Sequence, residues 1–168
     1  MGTPGHCTIA TWNIRDGRNA RIQAAARALH ASNVDIAVLQ EVNLREGELQ
    51  YAPGRFKNYT IRVAPRDKDA NVGGIALLHR GGDDAPFRVE NDRARGPNII
   101  TFELVTGEEE RWYGIGCYIP PSEKDGATAR RVEELPKAWP EGMKPMVLGD
   151  LNADLENPRT WRRCSQEA

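Results

Sequence analysis

Apolar residues in this chain come in short runs broken by polar stretches rich in glycine and proline. From Cys7 to Asn13 the β-formers Thr8, Ile9, Thr11 and Trp12 predict a first strand, which stops before the turn-prone pair Asp16-Gly17. The period then changes. Ile22, Ala25, Ala26 and Leu29 recur at helical spacing while Arg21 and Arg27 lie off that stripe, so Asn19 to Ser32 is expected to be a helix. Ile36 to Val42 is a short apolar run rich in Val and Ile, which favours a buried strand ending in Gln40-Glu41.

A looser region follows from Asn43 to Asn58, with Gly47, Pro53 and Gly54. Strands are expected at Tyr59 to Val63, Gly74 to His79, Phe87 to Glu90 and Asn98 to Val105. Thr106-Gly107-Glu108 has the composition of a hairpin turn, and Arg111 to Tyr118 would be the returning strand. Ser122 can cap a helix over Lys124 to Trp139, made ragged by Gly126 and Pro136. Pro145 to Gly149 reads as another buried strand, and Asn157-Pro158 suits the start of a short terminal helix. With no internal repeat and no linker, this order points to a single α/β sandwich with mixed sheets and helices outside.

Composition narrows the function classes. The chain has 168 residues, 39% of them hydrophobic, which suits one domain with a real core. A net charge of -1 gives no whole-molecule pull toward nucleic acid, so any such binding must come from local Arg and Lys. Three separated cysteines, Cys7, Cys117 and Cys164, form no disulfide framework and read as reduced thiols of an intracellular protein, nuclear or cytoplasmic, with Cys7 and Cys117 as packing residues. The first seven residues lack an apolar signal core, and the apolar runs are too short to span a bilayer, so neither secretion nor membrane insertion is expected. The sequon Asn58-Tyr59-Thr60 then reads as chance.

Four apolar runs end in polar groups: the first in Asn13, the next in Glu41, the hairpin return in Tyr118, and Met146 to Gly149 in Asp150 and Asn152. Such strand ends carry the loops where α/β folds place ligands. Singly, each is an ordinary turn or cap residue. Together they make a chemical set: two carboxylates, two amides and a phenol. Few carboxylates beside amide oxygens suit Mg²⁺, with Mn²⁺ as a substitute, because Mg²⁺ keeps several of its waters. His6, His30 and His79 are isolated, and no Cys/His spacing resembles a zinc site. There is no G-x-S-x-G and no Walker A loop; Gly73-Gly74 and Gly81-Gly82 read as turns.

Five segments in order resemble the endonuclease/exonuclease/phosphatase superfamily: Thr11-Trp12-Asn13-Ile14, Leu39-Gln40-Glu41, Gly74-Ile75-Ala76-Leu77-Leu78, Cys117-Tyr118-Ile119-Pro120 and Gly149-Asp150-Leu151-Asn152. The last, continued by Ala153-Asp154-Leu155, together with Gly116 to Pro121, looks most like the nuclease domains of retrotransposon-like elements. The superfamily's inositol-phosphate phosphatases typically place Tyr-Arg where Ala153-Asp154 stands. The resemblance implies a DNase I-like α/β/β/α sandwich and metal-dependent phosphodiester hydrolysis, with DNA as the substrate. It also implies roles. Glu41 would ligate Mg²⁺ with Asn13 orienting the metal shell. Asp150 would position or deprotonate the attacking water, Asn152 would hold Asp150 and contact the phosphate, and Tyr118 would donate to a phosphate oxygen.

The family closes with a strand carrying Asp-His, or Asp-Tyr in some retroelement relatives. Ala153 to Ala168 holds no His or Tyr. The chain is therefore expected to be one domain over 1–168, incomplete at its C-terminus, with an uncovered edge in the second sheet and weakened or lost activity. His79 is the least implausible substitute imidazole. Among the basic residues, Arg15 and Arg18 are the expected phosphate contacts because they leave the same strand end as Asn13. Arg62, Arg66, Lys68, Arg93 and Arg95 read as solvated charge, and Trp161 with Arg159, Arg162 and Arg163 as an amphipathic terminal helix. A phosphatase of small-molecule or lipid phosphoesters, and a non-catalytic fragment, are the alternatives.

Overall fold

A computed structural model describes residues 6–15, 17, 19–45, 48, 58–80, 87–107, 109–120 and 140–152. These form eight strands and one helix: β1 (Ile9–Asn13), α1 (Asn19–Ala31), β2 (Ile36–Gln40), β3 (Tyr59–Ala64), β4 (Ile75–Arg80), β5 (Phe87–Ala94), β6 (Ile99–Thr106), β7 (Arg111–Tyr118) and β8 (Lys144–Asp150). They build two four-stranded sheets of order β1-β2-β4-β3 and β5-β6-β7-β8. Each sheet is mixed. β1 and β2 run parallel, as do β7 and β8, and the remaining pairs are antiparallel. The expected sandwich of mixed sheets is therefore what the chain forms. The expected helices at 124–139 and after Pro158 lie outside the described residues.

Strand alternation decides what each layer buries. Ile36, Val38, Ile75 and Leu77 of the first sheet meet Phe87, Ile100, Phe102 and Leu104 of the second, and this is the inter-sheet core. Gly114 makes room there: a side chain at that position would run into the ring of Phe102. The opposite face of the first sheet, through Ala37, Leu39, Ala76 and Leu78, receives Ile22, Ala25, Ala26 and Leu29 of α1. The helix stripe read from the sequence is thus the buried one. The outer face of the second sheet carries Ile99, Tyr113, Ile115 and Cys117, packed by Met143 and Leu151.

Element ends have local causes. α1 stops at Ala31 because Asn33 turns left-handed (φ 53°), and its N–H and that of Val34 close back on the His30 and Leu29 carbonyls at 3.1 and 3.0 Å. β1 starts later than expected, at Ile9. The Thr8 N–H instead donates to the Asp35 carboxylate at 2.8 Å, and the Thr8 carbonyl accepts from Asp35 and Ile36 at 2.8 and 3.1 Å. β5 runs four residues beyond the expected Glu90, through a register shift between Glu90 and Arg93. That irregularity breaks the period on which the shorter expectation rested.

Candidate active site

The two parallel pairs end together. Register places Asn13 beside Gln40 at the end of β1 and β2, and Tyr118 beside Asp150 at the end of β7 and β8. Alternation turns Asn13, Tyr118 and Asp150 into the space between the sheets. Glu41 lies one residue past β2 and leaves the strand with a left-handed backbone (φ 56°). Its carbonyl accepts the Gly17 N–H at 2.8 Å, and the next two N–H groups, of Val42 and Asn43, donate to the Gly74 and Gly73 carbonyls at 3.2 and 2.8 Å.

Four side chains then meet. The Asn13 amide nitrogen donates to Glu41 Oε1 at 2.8 Å and to Asp150 Oδ2 at 3.1 Å, bridging residues 137 apart in sequence. The Tyr118 hydroxyl donates to the same Glu41 Oε1 at 3.0 Å. The amide oxygen of Asn13 is engaged by the Arg15 N–H at 3.0 Å, so Asn13 turns its nitrogen, not its oxygen, toward the carboxylates. Asn152 holds Asp150 through its main chain: its N–H donates to Asp150 Oδ1 at 3.0 Å, while its side chain donates to the Ile119 carbonyl at 2.8 Å. Of the five residues expected to converge, Asn13, Glu41, Tyr118 and Asp150 meet through their side chains, and Asn152 reaches them only through its main-chain N–H.

Several carboxylates among the described residues are paired with cations, whereas Glu48, Asp67, Asp69 and Glu141 are not. Asp35, Asp92, Glu90, Glu103, Glu109 and Glu110 each sit within 4.0 Å of an Arg or Lys nitrogen. Glu41 and Asp150 have no such partner among the described residues, although both are half-buried. Two converging carboxylates that share one neutral amide call for a cation. Among the described residues no group of three or more His, Cys, Asp or Glu gathers around a point. Two carboxylates are donors of the kind that a hard, oxygen-preferring divalent ion takes. The Tyr118 phenol is buried, and burial, then its bond to Glu41, pushes its pKa well above the ordinary phenol range. It stays a proton donor through the neutral range.

Arg15 is exposed just past Asn13, and Arg18 lies outside the described residues. Arg21 is a brace, its guanidinium donating to the Ile14 and Arg15 carbonyls. His79 stands opposite Ile36, at the other end of the sheet from Gln40. That is about 13 Å of strand away from the cluster, which removes it as a substitute imidazole. His30 is near that far end too, where Arg80 donates to its carbonyl at 3.1 Å, and His6 precedes β1. The thiols of Cys7 and Cys117 are pushed up to about 12, chiefly by burial, as packing residues rather than nucleophiles. Sequence reasoning passed over Asn98. It is almost fully buried, and its only signal was its place before an apolar run.

Comparison with known proteins agrees with this fold. Residues 10–167 match the model of the Endonuclease/Exonuclease/phosphatase family. The chain belongs to that family. Solved structures with the same fold include an AP endonuclease from Archaeoglobus fulgidus, at 17% identity and TM-score 0.61, covering 94% of this chain and 63% of that one. The catalytic domain of Xenopus laevis APE2 follows at 14% identity and TM-score 0.60, covering 86% and 58%. The 3' phosphatase NExo from Neisseria, bound to a product DNA hairpin, matches at 20% identity and TM-score 0.53, covering 93% and 63%. The chain thus spans about half to two thirds of the length of these structures. No curated protein matches it. Among the described residues no helix is long and apolar enough to cross a membrane.

Proposed function

We propose that this chain carries the metal-binding half of a phosphodiesterase site that hydrolyses nucleic acid, with DNA as the substrate and Mg²⁺ or Mn²⁺ as the ion. The observation that carries the reading is the shared Asn13 amide bridging Glu41 and Asp150, two carboxylates without a cationic partner among the described residues. Glu41 would hold the ion, which when bound neutralises charge developing on the phosphate oxygens. Asn13 keeps the two acids apart and oriented. Asp150, held by the Asn152 N–H, would take or orient the proton of an attacking water. Tyr118, kept protonated, would donate to a non-bridging oxygen of the phosphate. Exposed Arg15 is the candidate backbone contact.

The names of several neighbours fit a DNA substrate, since they are AP endonucleases and a phosphatase holding a DNA hairpin. The retroelement-type reading rests on Gly149 to Leu155 and Gly116 to Pro121 alone. The two free thiols among the described residues suit an intracellular setting. All three histidines are distant from the cluster or precede β1, so the proposed chemistry runs without an imidazole of this chain and turnover is expected to be slow.

The test is nicking of supercoiled plasmid with Mg²⁺ or Mn²⁺. Activity that EDTA removes, and that Glu41→Gln and Asp150→Asn both lose, supports the reading. Variants that nick as well as wild type refute it. Release of phosphate from inositol phosphates without nicking would move the substrate to small phosphoesters, a reading that Ala153-Asp154 disfavours.

A further inference from the structure

The proposed site is spanned from one sheet to the other by Asn13 and by the Tyr118–Glu41 hydrogen bond. A separation between sheets that must hold to a fraction of an ångström needs support outside the reacting groups. One buried residue is in place to give it. Asn98 lies just before β6, only 2% exposed, with a left-handed backbone (φ 64°). Its carbonyl accepts the Tyr118 N–H at 3.0 Å, and its own N–H donates to the Pro65 carbonyl at 3.3 Å. Its side-chain oxygen accepts the Gly74 N–H at 2.5 Å.

Gly74 connects onward. Its carbonyl accepts the N–H of Val42, and the Gly73 carbonyl accepts that of Asn43, the two residues that follow Glu41. Asn43 returns the contact, its side-chain oxygen accepting the Gly73 N–H at 2.9 Å. A continuous path of hydrogen bonds therefore runs from Tyr118 in one sheet, through Asn98, to the backbone that carries Glu41 in the other. The path is tightly packed. Gly74 holds a positive φ of 78°, where a side chain would be strained and would press on the Arg66 backbone and Val42, and a side chain on Gly73 would crowd the Asn98 oxygen.

We propose that Asn98 is a positioning residue, whose buried side chain clamps the β3–β4 loop to β6 and so sets the gap between Tyr118 and Glu41. The proposal rests on the metal-site reading above. It assigns Asn98 no contact with substrate or ion. The residue type follows from two demands. The backbone needs a residue that accepts a left-handed conformation, and the Gly74 N–H needs a buried acceptor. Asn meets both, Asp also meets both, and Gly meets only the first.

The test uses the full chain and three readouts: circular-dichroism melting, Mn²⁺ affinity from the loss of the free-ion electron paramagnetic resonance signal, and plasmid nicking split into kcat and KM. Asn98→Gly keeps the backbone conformation and removes the acceptor. It is expected to remain folded at the assay temperature, to weaken Mn²⁺ binding and to lower kcat, each by roughly 10- to 100-fold, with KM within about twofold. Asn98→Asp restores the acceptor oxygen in either protonation state and is expected to return most of both losses. A folded Asn98→Gly protein with wild-type Mn²⁺ affinity and kcat overturns the proposal. So does an Asn98→Asp protein as impaired as Asn98→Gly. Should wild type bind Mn²⁺ yet nick nothing, the nuclease reading fails on its own, and the Mn²⁺ comparison still decides the role of Asn98.

Discussion

Tyr118 and Asp150 are neighbours in the β7–β8 register, the proposed function gives them different work, and single substitutions should separate them. Asp150→Asn keeps the shape and removes the proton acceptor, but its single amide oxygen can serve only one of the two donors, the Asn13 amide or the Asn152 N–H. A drop in nicking kcat of roughly 10²–10⁴-fold is expected, with the melting temperature nearly unchanged. Tyr118→Phe removes one donor and keeps the ring in the inter-sheet core, so it should cost about 10²-fold in kcat with little change in Mn²⁺ affinity. If Tyr118→Phe weakens Mn²⁺ as strongly as Glu41→Gln does, the phenol belongs to the metal shell instead. At this scale the sequence was highly legible for the acids and the phenol, because each closes an apolar run. Two details were not. The Asn13 amide is turned by the Arg15 N–H, and the Asn152 side chain is spent on the Ile119 carbonyl. Both depend on loop geometry that no residue pattern encodes.

Strands announced themselves through period two and β-branched content, and they broke from expectation where an interaction between elements took over. Asp35 claims the Thr8 backbone and shortens β1. The bulge after Glu90 carries β5 through the polar stretch Asn91 to Ala94, at the edge of its sheet, where alternation no longer marks a strand. β8 carries its own constraint. Gly149 adopts φ 153°, and any side chain there would strike the Cys117 carbonyl of the neighbouring strand. Gly149→Ala should therefore cost roughly 1–3 kcal/mol from backbone strain alone, with more from the collision. Urea denaturation reads this directly, and an unchanged midpoint would contradict the strand geometry. Because Asp150 is the next residue, surviving Gly149→Ala protein should also nick poorly.

For the molecule as a whole, the sandwich and its mixed sheets could be read from the order of elements, but the pairing β1-β2-β4-β3 could not. Any β-rich run can neighbour another, and the choice is made by burial on two faces at once. The same pairing sends His79 into the inter-sheet space at the end away from the carboxylates, near Arg62 and Asp92. Burial lowers its pKa, and its Nδ1 is buried without a hydrogen-bond partner. A histidine held neutral in the fold takes up its proton more readily when unfolded. Stability is then fully present above the ordinary imidazole pKa of about 6.5 and falls as pH drops below it toward the lowered folded value. His79→Leu should flatten that acid slope and raise stability at pH 5 to 6 by about 1–3 kcal/mol, checked by melting curves across pH. A slope that survives the substitution would place its origin in other groups.

The distance of His79 and His30 from the carboxylates makes the nitrogen bases of this protein chemically separable from its acids. Diethyl pyrocarbonate, which acylates accessible imidazole, should label exposed His6 and His30 yet leave ion-dependent strand scission at its initial rate. The reagent would then serve as a bystander label, reporting on one pole while the other works.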